Sequence, residues 1–250
     1  MNRRREIAVR FHRVEVVRRV PHPGRGFTQG LIVRDGVVWE STGLYGHSAL
    51  HRYPLGADRP DGSASLPMTL FAEGICLSEG QIWQLTWQER VALRWDPGTL
   101  AVLDVVPYNR DGWGICRAAE HLLTSDGSSE LVTRDRVSLE PLDVTRVRLG
   151  GRRLDGLNDL DWAEGRVWAN ILDRPCLVGI DPESGEVSDI VDARPVMERL
   201  HHGSQAVLNG VAWLGEPGEF LLTGKEWRHM YHVRLAAAPA RSRTARLVIG

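Results

Sequence analysis

The sequence predicts an all-β chain, a five-bladed β-propeller with four antiparallel strands per blade. Three observations predict it. A pattern of apolar strand, polar turn and second apolar strand recurs five times, its turns carry hairpin chemistry, and helical periodicity is confined to one short segment. Self-similarity at a period of about 20–50 residues marks repeat architectures, and four short strands in about 45 residues make one propeller blade.

The copies start at Gly30, Gly74, Gly114, Asp159 and Gly210, so successive starts lie 44, 40, 45 and 51 residues apart. The first three read GLIVRDGVVWEST, GICLSEGQIWQLT and GICRAAEHLLTSD. The fourth is DLDWAEGRVWANI and the fifth GVAWLGEPGEFLLTG, lengthened by its Gly215–Glu219 turn. In the first four copies an anchor on the second strand (Trp39, Trp83, Leu123, Trp168) stands nine positions after the start. Asp35-Gly36, Glu79-Gly80 and Glu164-Gly165 are pairs suited to tight hairpins. Third strands are expected at Ala49–Tyr53, Val91–Trp95 and Cys176–Ile180, and a fourth at Val102–Val106 after the Asp96-Pro97-Gly98 turn. Strands near Val14–Val20 and Ala245–Ile249 are candidates to complete a blade and close the ring, and the helical segment is Val196–His202. One domain is expected over residues 1–250, with residues 1–12 as a flexible or partly ordered extension. A β-sandwich needs no constant four-strand period, and an α/β fold needs helices that this sequence lacks.

Composition removes several function classes. A formal net charge of −1 leaves no electrostatic footprint for nucleic acid or an anionic membrane. No apolar run approaches the ~20 residues of a membrane span, and no signal-peptide core follows the basic opening MNRRREIAVR. A soluble, cytoplasmic monomer is expected, with neither nucleic acid nor membrane as partner. Cys76, Cys116 and Cys176 form no C-x-x-C pair and read as buried, inert thiols. The sequence has no G-x-G-x-x-G, Walker loop, G-x-S-x-G or H-E-x-x-H. His229 and His232 would face opposite sides of a strand and share no metal, and His201-His202 reads as a polar loop. Neither metal nor cofactor is expected.

The repeat alignment locates a candidate site. Immediately before the five starts stand Gln29, Glu73, Trp113, Asn158 and Asn209. In a propeller such equivalent positions converge at the mouth of the central channel, so four polar groups and an indole there indicate a polar pocket. Four residues beyond the anchors lie Gly43, Trp87, Gly127 and Leu172, with Lys225 in the fifth copy. One carboxylate, one ammonium, several amides and two indoles can grip a small polar molecule and move a proton. Trp39, Trp83, Trp168 and Trp213 read as inter-blade packing, and Glu40 as support for blade contacts.

These residues fall in segments that resemble the plant- and bacterial-type glutaminyl-peptide cyclotransferases. The matching segments include Phe27-Thr28-Gln29-Gly30-Leu31, Glu40-Ser41-Thr42-Gly43-Leu44-Tyr45-Gly46, Phe71-Ala72-Glu73-Gly74-Ile75 and Gln84-Leu85-Thr86-Trp87. Gly112-Trp113-Gly114, Ser125-Asp126-Gly127-Ser128, Leu157-Asn158, Val167-Trp168-Ala169-Asn170 and Ile180-Asp181-Pro182 follow in family order. Leu208-Asn209-Gly210-Val211-Ala212-Trp213 and Thr223-Gly224-Lys225-Glu226-Trp227 complete the set. The resemblance implies a five-bladed propeller, with Glu73 as general acid/base. It implies that Phe27, Gln29, Phe71, Trp87, Trp113, Asn158 and Lys225 line a substrate pocket, and that no catalytic metal is used.

The sequence departs from the family pattern at four points. Asn158-Asp159-Leu160-Asp161 stands for Asn-Glu-Leu-Glu, and Leu172 replaces a pocket tryptophan. The segment Tyr53–Ser65 is irregular, and the export signal of many relatives is missing.

The reaction implied is attack by the α-amine of an N-terminal Gln on its own side-chain amide, giving pyroglutamate and ammonia. Being intramolecular, it gains most from a held rotamer and from one carboxyl that takes and returns a proton. Glu73 suits the proton transfer, while Lys225, Asn158 and Gln29 suit hydrogen bonding to the amide oxygen. Two alternatives stand beside this: a related lactam-forming cyclase acting on a non-peptide or tethered substrate, and a non-catalytic propeller binding module.

Overall fold

The computed structural model describes residues 8–24, 26–200 and 207–239. The chain opens with β1 (Arg10–Pro21). A first antiparallel meander follows, of β2 (Thr28–Arg34), β3 (Val37–Thr42), β4 (Ala49–Pro54) and β5 (Gly62–Ser65). The second is β6 (Ala72–Ser78), β7 (Gln81–Thr86), β8 (Val91–Trp95) and β9 (Val102–Pro107). The third is β10 (Ile115–Ala118), β11 (His121–Thr124), β12 (Glu130–Arg134) and β13 (Pro141–Arg146). A small ribbon, β14 (Arg148–Leu149) with β15 (Arg152–Arg153), leads to the fourth. That group is β16 (Leu157–Ala163), β17 (Arg166–Ile171), β18 (Cys176–Ile180) and β19 (Val187–Asp192). After the one-turn α1 (Arg194–Met197) come β20 (Leu208–Trp213), β21 (Glu219–Gly224) and β22 (His229–Ala237). The N-terminal β1 joins this last group as its fourth strand, antiparallel to β22.

Turn chemistry explains the hairpins between first and second strands. Asp35-Gly36, Glu79-Gly80 and Glu164-Gly165 hold both central residues at positive φ, between 49° and 76°. That is the two-residue geometry whose twist matches the flanking strands. Apolar clusters lie between neighbouring groups. Trp39 and Leu50 meet Ile82 and Trp95 between the first and second, and Trp168 and Leu177 meet Phe220 and Leu222 between the fourth and fifth. Another joins Ala212, Leu221 and Met230 of the last group to Leu31, Val38 and Tyr53 of the first. First strands β2, β6, β10, β16 and β20 touch one another in cyclic order, β20 returning to β2. The result is nearly all-β and propeller-like. No helix among the described residues is long and apolar enough to cross a membrane, and the three cysteines are buried.

Several expectations need correction. The first strand, expected near Val14–Val20, begins at Arg10, because Arg10–Arg13 pair in parallel with Asp189–Asp192 and fuse the last two groups into one sheet. Arg10 and His12 both reach the Asp189 carboxylate there, at 2.8 and 2.7 Å. The helix starts two residues before Val196, with Pro195 in its first turn where a fixed φ is favourable. Residues 1–7, the His201-His202 pair and the Ala245–Ile249 segment lie outside the described residues.

Candidate active site

Each polar residue preceding a repeat start sits at a break in strand pairing. Register shifts fall between Thr28 and Gly30, Ala72 and Ile75, Leu157 and Leu160, and Leu208 and Val211. They bracket Gln29, Glu73, Asn158 and Asn209. A bulge re-aims a side chain away from the alternation of its strand, so the irregularity itself gathers these four. Repeat-start glycines allow the strands to converge: a Cβ on Gly30 would lie 2.8 Å from the Gly74 Cα, and one on Gly74 2.8 Å from the Gly114 Cα.

The fourth copy carries Asp159 in place of that glycine. Asp159 Oδ2 accepts the Val211 N–H at 3.0 Å, and Asp161 accepts the Trp213 N–H. First strands of neighbouring groups share no backbone ladder, so outward-facing N–H groups need side-chain acceptors. These two carboxylates supply them between β16 and β20.

Glu73 is at the centre of the polar cluster and is 4% exposed. The Gln29 Nε2 donates to its Oε1 at 2.7 Å. Asn209 Nδ2 donates to the Gln29 Oε1 at 2.8 Å and to the Thr28 carbonyl at 3.0 Å. Both ends of the Gln29 amide are therefore engaged, one of them on the Glu73 carboxyl. Burial pushes the Glu73 carboxyl well above its ordinary value; the Lys225 charge and the Gln29 bond oppose this, while Asp159 and Glu89 add to it. Burial likewise draws the Lys225 ammonium below its ordinary value, against Glu73 and Asp173. Among the described residues Lys225 makes no ion pair within 4 Å. Its Nζ lies 4.5 Å from the Phe27 ring centroid. The Glu73 carboxyl is thus shifted up and the Lys225 ammonium down, each chiefly by burial and each opposed by the other's charge.

Aromatic residues build one wall. Phe71 meets Phe27, Tyr45 and Trp87 edge-to-face, with centroids 6.3, 5.3 and 5.6 Å apart. The second ring of the repeat alignment explains how they fit. A Cβ on Gly43 would come within 2.8 Å of the Phe71 ring, and one on Gly127 within 2.7 Å of the Trp113 indole. Gly43 and Gly127 are thus seats for rings contributed by neighbouring segments. Asn158 is buried, its carbonyl accepting the Ser125 hydroxyl at 2.8 Å. Half-buried Leu172 is held through its N–H to the Gly156 carbonyl at 2.8 Å.

Sequence reasoning missed two features. Tyr45 donates to Glu89 at 2.6 Å, and Glu89 also accepts the Phe71 N–H at 3.3 Å. Tyr45 and Glu89 stand two positions beyond Gly43 and Trp87, so extending the repeat alignment by two residues finds them. His22 lies between β1 and β2, outside the repeat, and no pattern marks it; it is fully buried against Glu40. A cavity of about 710 Å³ opens at the opposite ends of the same first strands, lined by Leu31–Arg34, Ile75–Leu77, Asp161 and Trp213, and contains none of the expected site residues.

The comparisons with known proteins agree with one another. The family model described as glutamine cyclotransferase matches residues 1–235. A glutaminyl-peptide cyclotransferase from Arabidopsis thaliana is 30% identical over 243 residues, covering 95% of this chain and 76% of the relative. The crystal structure of Myxococcus xanthus glutaminyl cyclase is similar with a TM-score of 0.85 at 29% identity, covering 92% of this chain and 99% of that one.

Proposed function

Because the chain belongs to the glutamine cyclotransferase family, we propose that it converts N-terminal glutaminyl residues to pyroglutamate with Glu73 as its proton-transfer group. The observation that carries this is the buried Glu73 carboxyl, oriented by Gln29 and held well above its ordinary pKa beside Lys225. The α-amine nitrogen bonds to the side-chain amide carbon, and Glu73 takes the proton that this nitrogen loses. As the bond to the amide nitrogen breaks, Glu73 returns that proton and ammonia leaves. Lys225 donates to the amide oxygen while it carries negative charge. Phe27, Phe71, Trp87 and Trp113 confine the short side chain in its reactive rotamer. The five four-strand groups act as the five blades of one domain, supported by the apolar clusters that join each group to the next.

Ammonia release from Gln-initiated dipeptides by the purified chain tests the reaction. Neither Glu73 nor Lys225 needs a Lewis acid for these steps, so turnover is expected to survive exhaustive treatment with a strong chelator. Loss of turnover that zinc alone restores would remove this mechanism.

Leu172 favours a second reading, a related cyclase with a different substrate. If Leu172 only loosens the grip on a Gln side chain, Leu172→Trp adds an aromatic contact and raises kcat/KM on Gln-dipeptides about two- to tenfold. Negligible activity of the wild-type chain on Gln-dipeptides, unimproved by the substitution, would favour the second reading.

A further inference from the structure

We infer that the buried His22–Glu40 couple is a positioning unit for the reaction, linking the placement of Lys225 to that of Gln29 and Glu73. The inference rests on the reading of Glu73 and Lys225 as the chemical groups. The side chains of His22 and Glu40 are both fully removed from solvent.

The geometry shows what the couple connects. His22 Nε2 lies 2.7 Å from Glu40 Oε1, and His22 Nδ1 lies 2.7 Å from the carbonyl of Trp227, two residues after Lys225. Both ring nitrogens thus face oxygen acceptors, which the doubly protonated imidazolium satisfies. Thr28 donates its hydroxyl to the same Glu40 oxygen at 2.7 Å, and Tyr53 donates to the other at 2.8 Å. Thr28 immediately precedes Gln29, and its carbonyl accepts the Asn209 amide that also holds Gln29. A further bond, from the Glu226 N–H to the Gly26 carbonyl at 2.8 Å, clamps the same two segments together. A continuous path therefore runs from the Lys225 loop through Trp227, His22, Glu40, Thr28 and Gln29 to Glu73.

Physical chemistry gives a reason for such a path. The described residues between β1 and β2 form no helix or strand, and Thr28 is the first residue of β2, so it stands where the strand's own pairing only begins. An ion pair so completely dehydrated is seldom the most stable filling for a core, and a unique geometry is what it offers in exchange. Burial alone would raise the Glu40 carboxyl. The His22 charge and the bonds from His22, Thr28 and Tyr53 outweigh it and hold the group at about 2. The anion thus persists as an acceptor for three donors at any working pH.

Four proteins test the inference: the wild-type chain and its Thr28→Val, Tyr53→Phe and Glu40→Gln variants, assayed by ammonia release from a Gln-initiated dipeptide. Thr28→Val is nearly isosteric, suits a strand and removes only the link from Glu40 to Gln29. It should lower kcat about five- to twentyfold, with KM within about twofold, and should lower the melting temperature no more than Tyr53→Phe, which loses a comparable bond to Glu40. Tyr53→Phe removes a donor that lies off the path and should keep kcat within about twofold. Glu40→Gln, where it folds, should lose more than Thr28→Val. In a crystal structure of Thr28→Val, the Gln29 amide should have left Glu73 Oε1. Unchanged kcat in Thr28→Val, or equal losses in Thr28→Val and Tyr53→Phe, overturns the inference. A wild-type chain that releases no ammonia counts against the cyclase reading instead. The couple is then judged on the Thr28→Val crystal structure, where an unmoved Gln29 overturns it.

Discussion

Glu73→Gln is expected to lower kcat on Gln-peptides by about 10²–10⁴-fold, the range in which a lost general acid–base group falls. Glutamine keeps the volume and one acceptor oxygen, so the bond from Gln29 can persist and the aromatic wall has no reason to move. What disappears is the capacity to take a proton from the amine and return it to the leaving nitrogen. The loss should appear in kcat, with KM nearly unchanged, because the substrate's grip comes from other groups. A variant retaining more than about a tenth of wild-type kcat would refute the role.

Stability gives a second, independent readout with a definite sign. The folded-state pKa of Glu73 is raised above its ordinary 4.5 by burial. Above that pH the unfolded chain releases a proton that the native state still binds. The contribution of Glu73 to stability therefore falls as pH rises from 4.5 towards the folded value. Removing the carboxyl removes that penalty. Glu73→Gln should melt no lower than the wild type at pH 7, and its advantage should shrink as pH is lowered towards 4.5. A carboxylate serving only as a structural ion-pair partner predicts the reverse, a variant less stable at neutral pH.

The contrast between Glu73 and His22 shows what a sequence can disclose about such a site. The repeat alone brings Gln29, Glu73, Trp113, Asn158 and Asn209 into equivalence, because equivalent strand positions in a cyclic array face one centre. It carries no information on bond direction. That Gln29 spends its amide on Glu73 and Asn209 depends on bulges whose geometry is three-dimensional. Gly43 and Gly127 are legible as positions and opaque as causes, since the rings they seat arrive from distant segments. The β1 strand is legible only in part. Three of its first four residues are polar, and what fixes them is a parallel partner far along the chain, Asp189–Asp192. His22 sits in a connection with no counterpart in the other copies, so its burial against Glu40 is a product of folding alone.

Lys225→Met is expected to reduce kcat by about 10²–10³-fold, the loss seen when a donor to a developing oxyanion is removed. Methionine retains most of the aliphatic stem, while the ammonium and its cation–π contact with Phe27 are lost. The substitution also acts on Glu73 at a distance. Lys225 is the largest influence holding the Glu73 carboxyl down against burial. Without that charge the Glu73 pKa rises further, and more base is needed to generate the carboxylate that accepts the amine proton. The acidic limb of the kcat/KM profile should therefore move to higher pH in Lys225→Met. Lys225→Arg separates the two effects. It restores the charge, and with it the position of the acidic limb, but a planar guanidinium cannot reproduce the approach of a point-like ammonium to the amide oxygen. Its kcat should stay well below wild type while its pH profile returns towards it. A Lys225→Met enzyme with a wild-type kcat and only a lower melting temperature would show that Lys225 holds neighbouring segments together and takes no part in the chemistry.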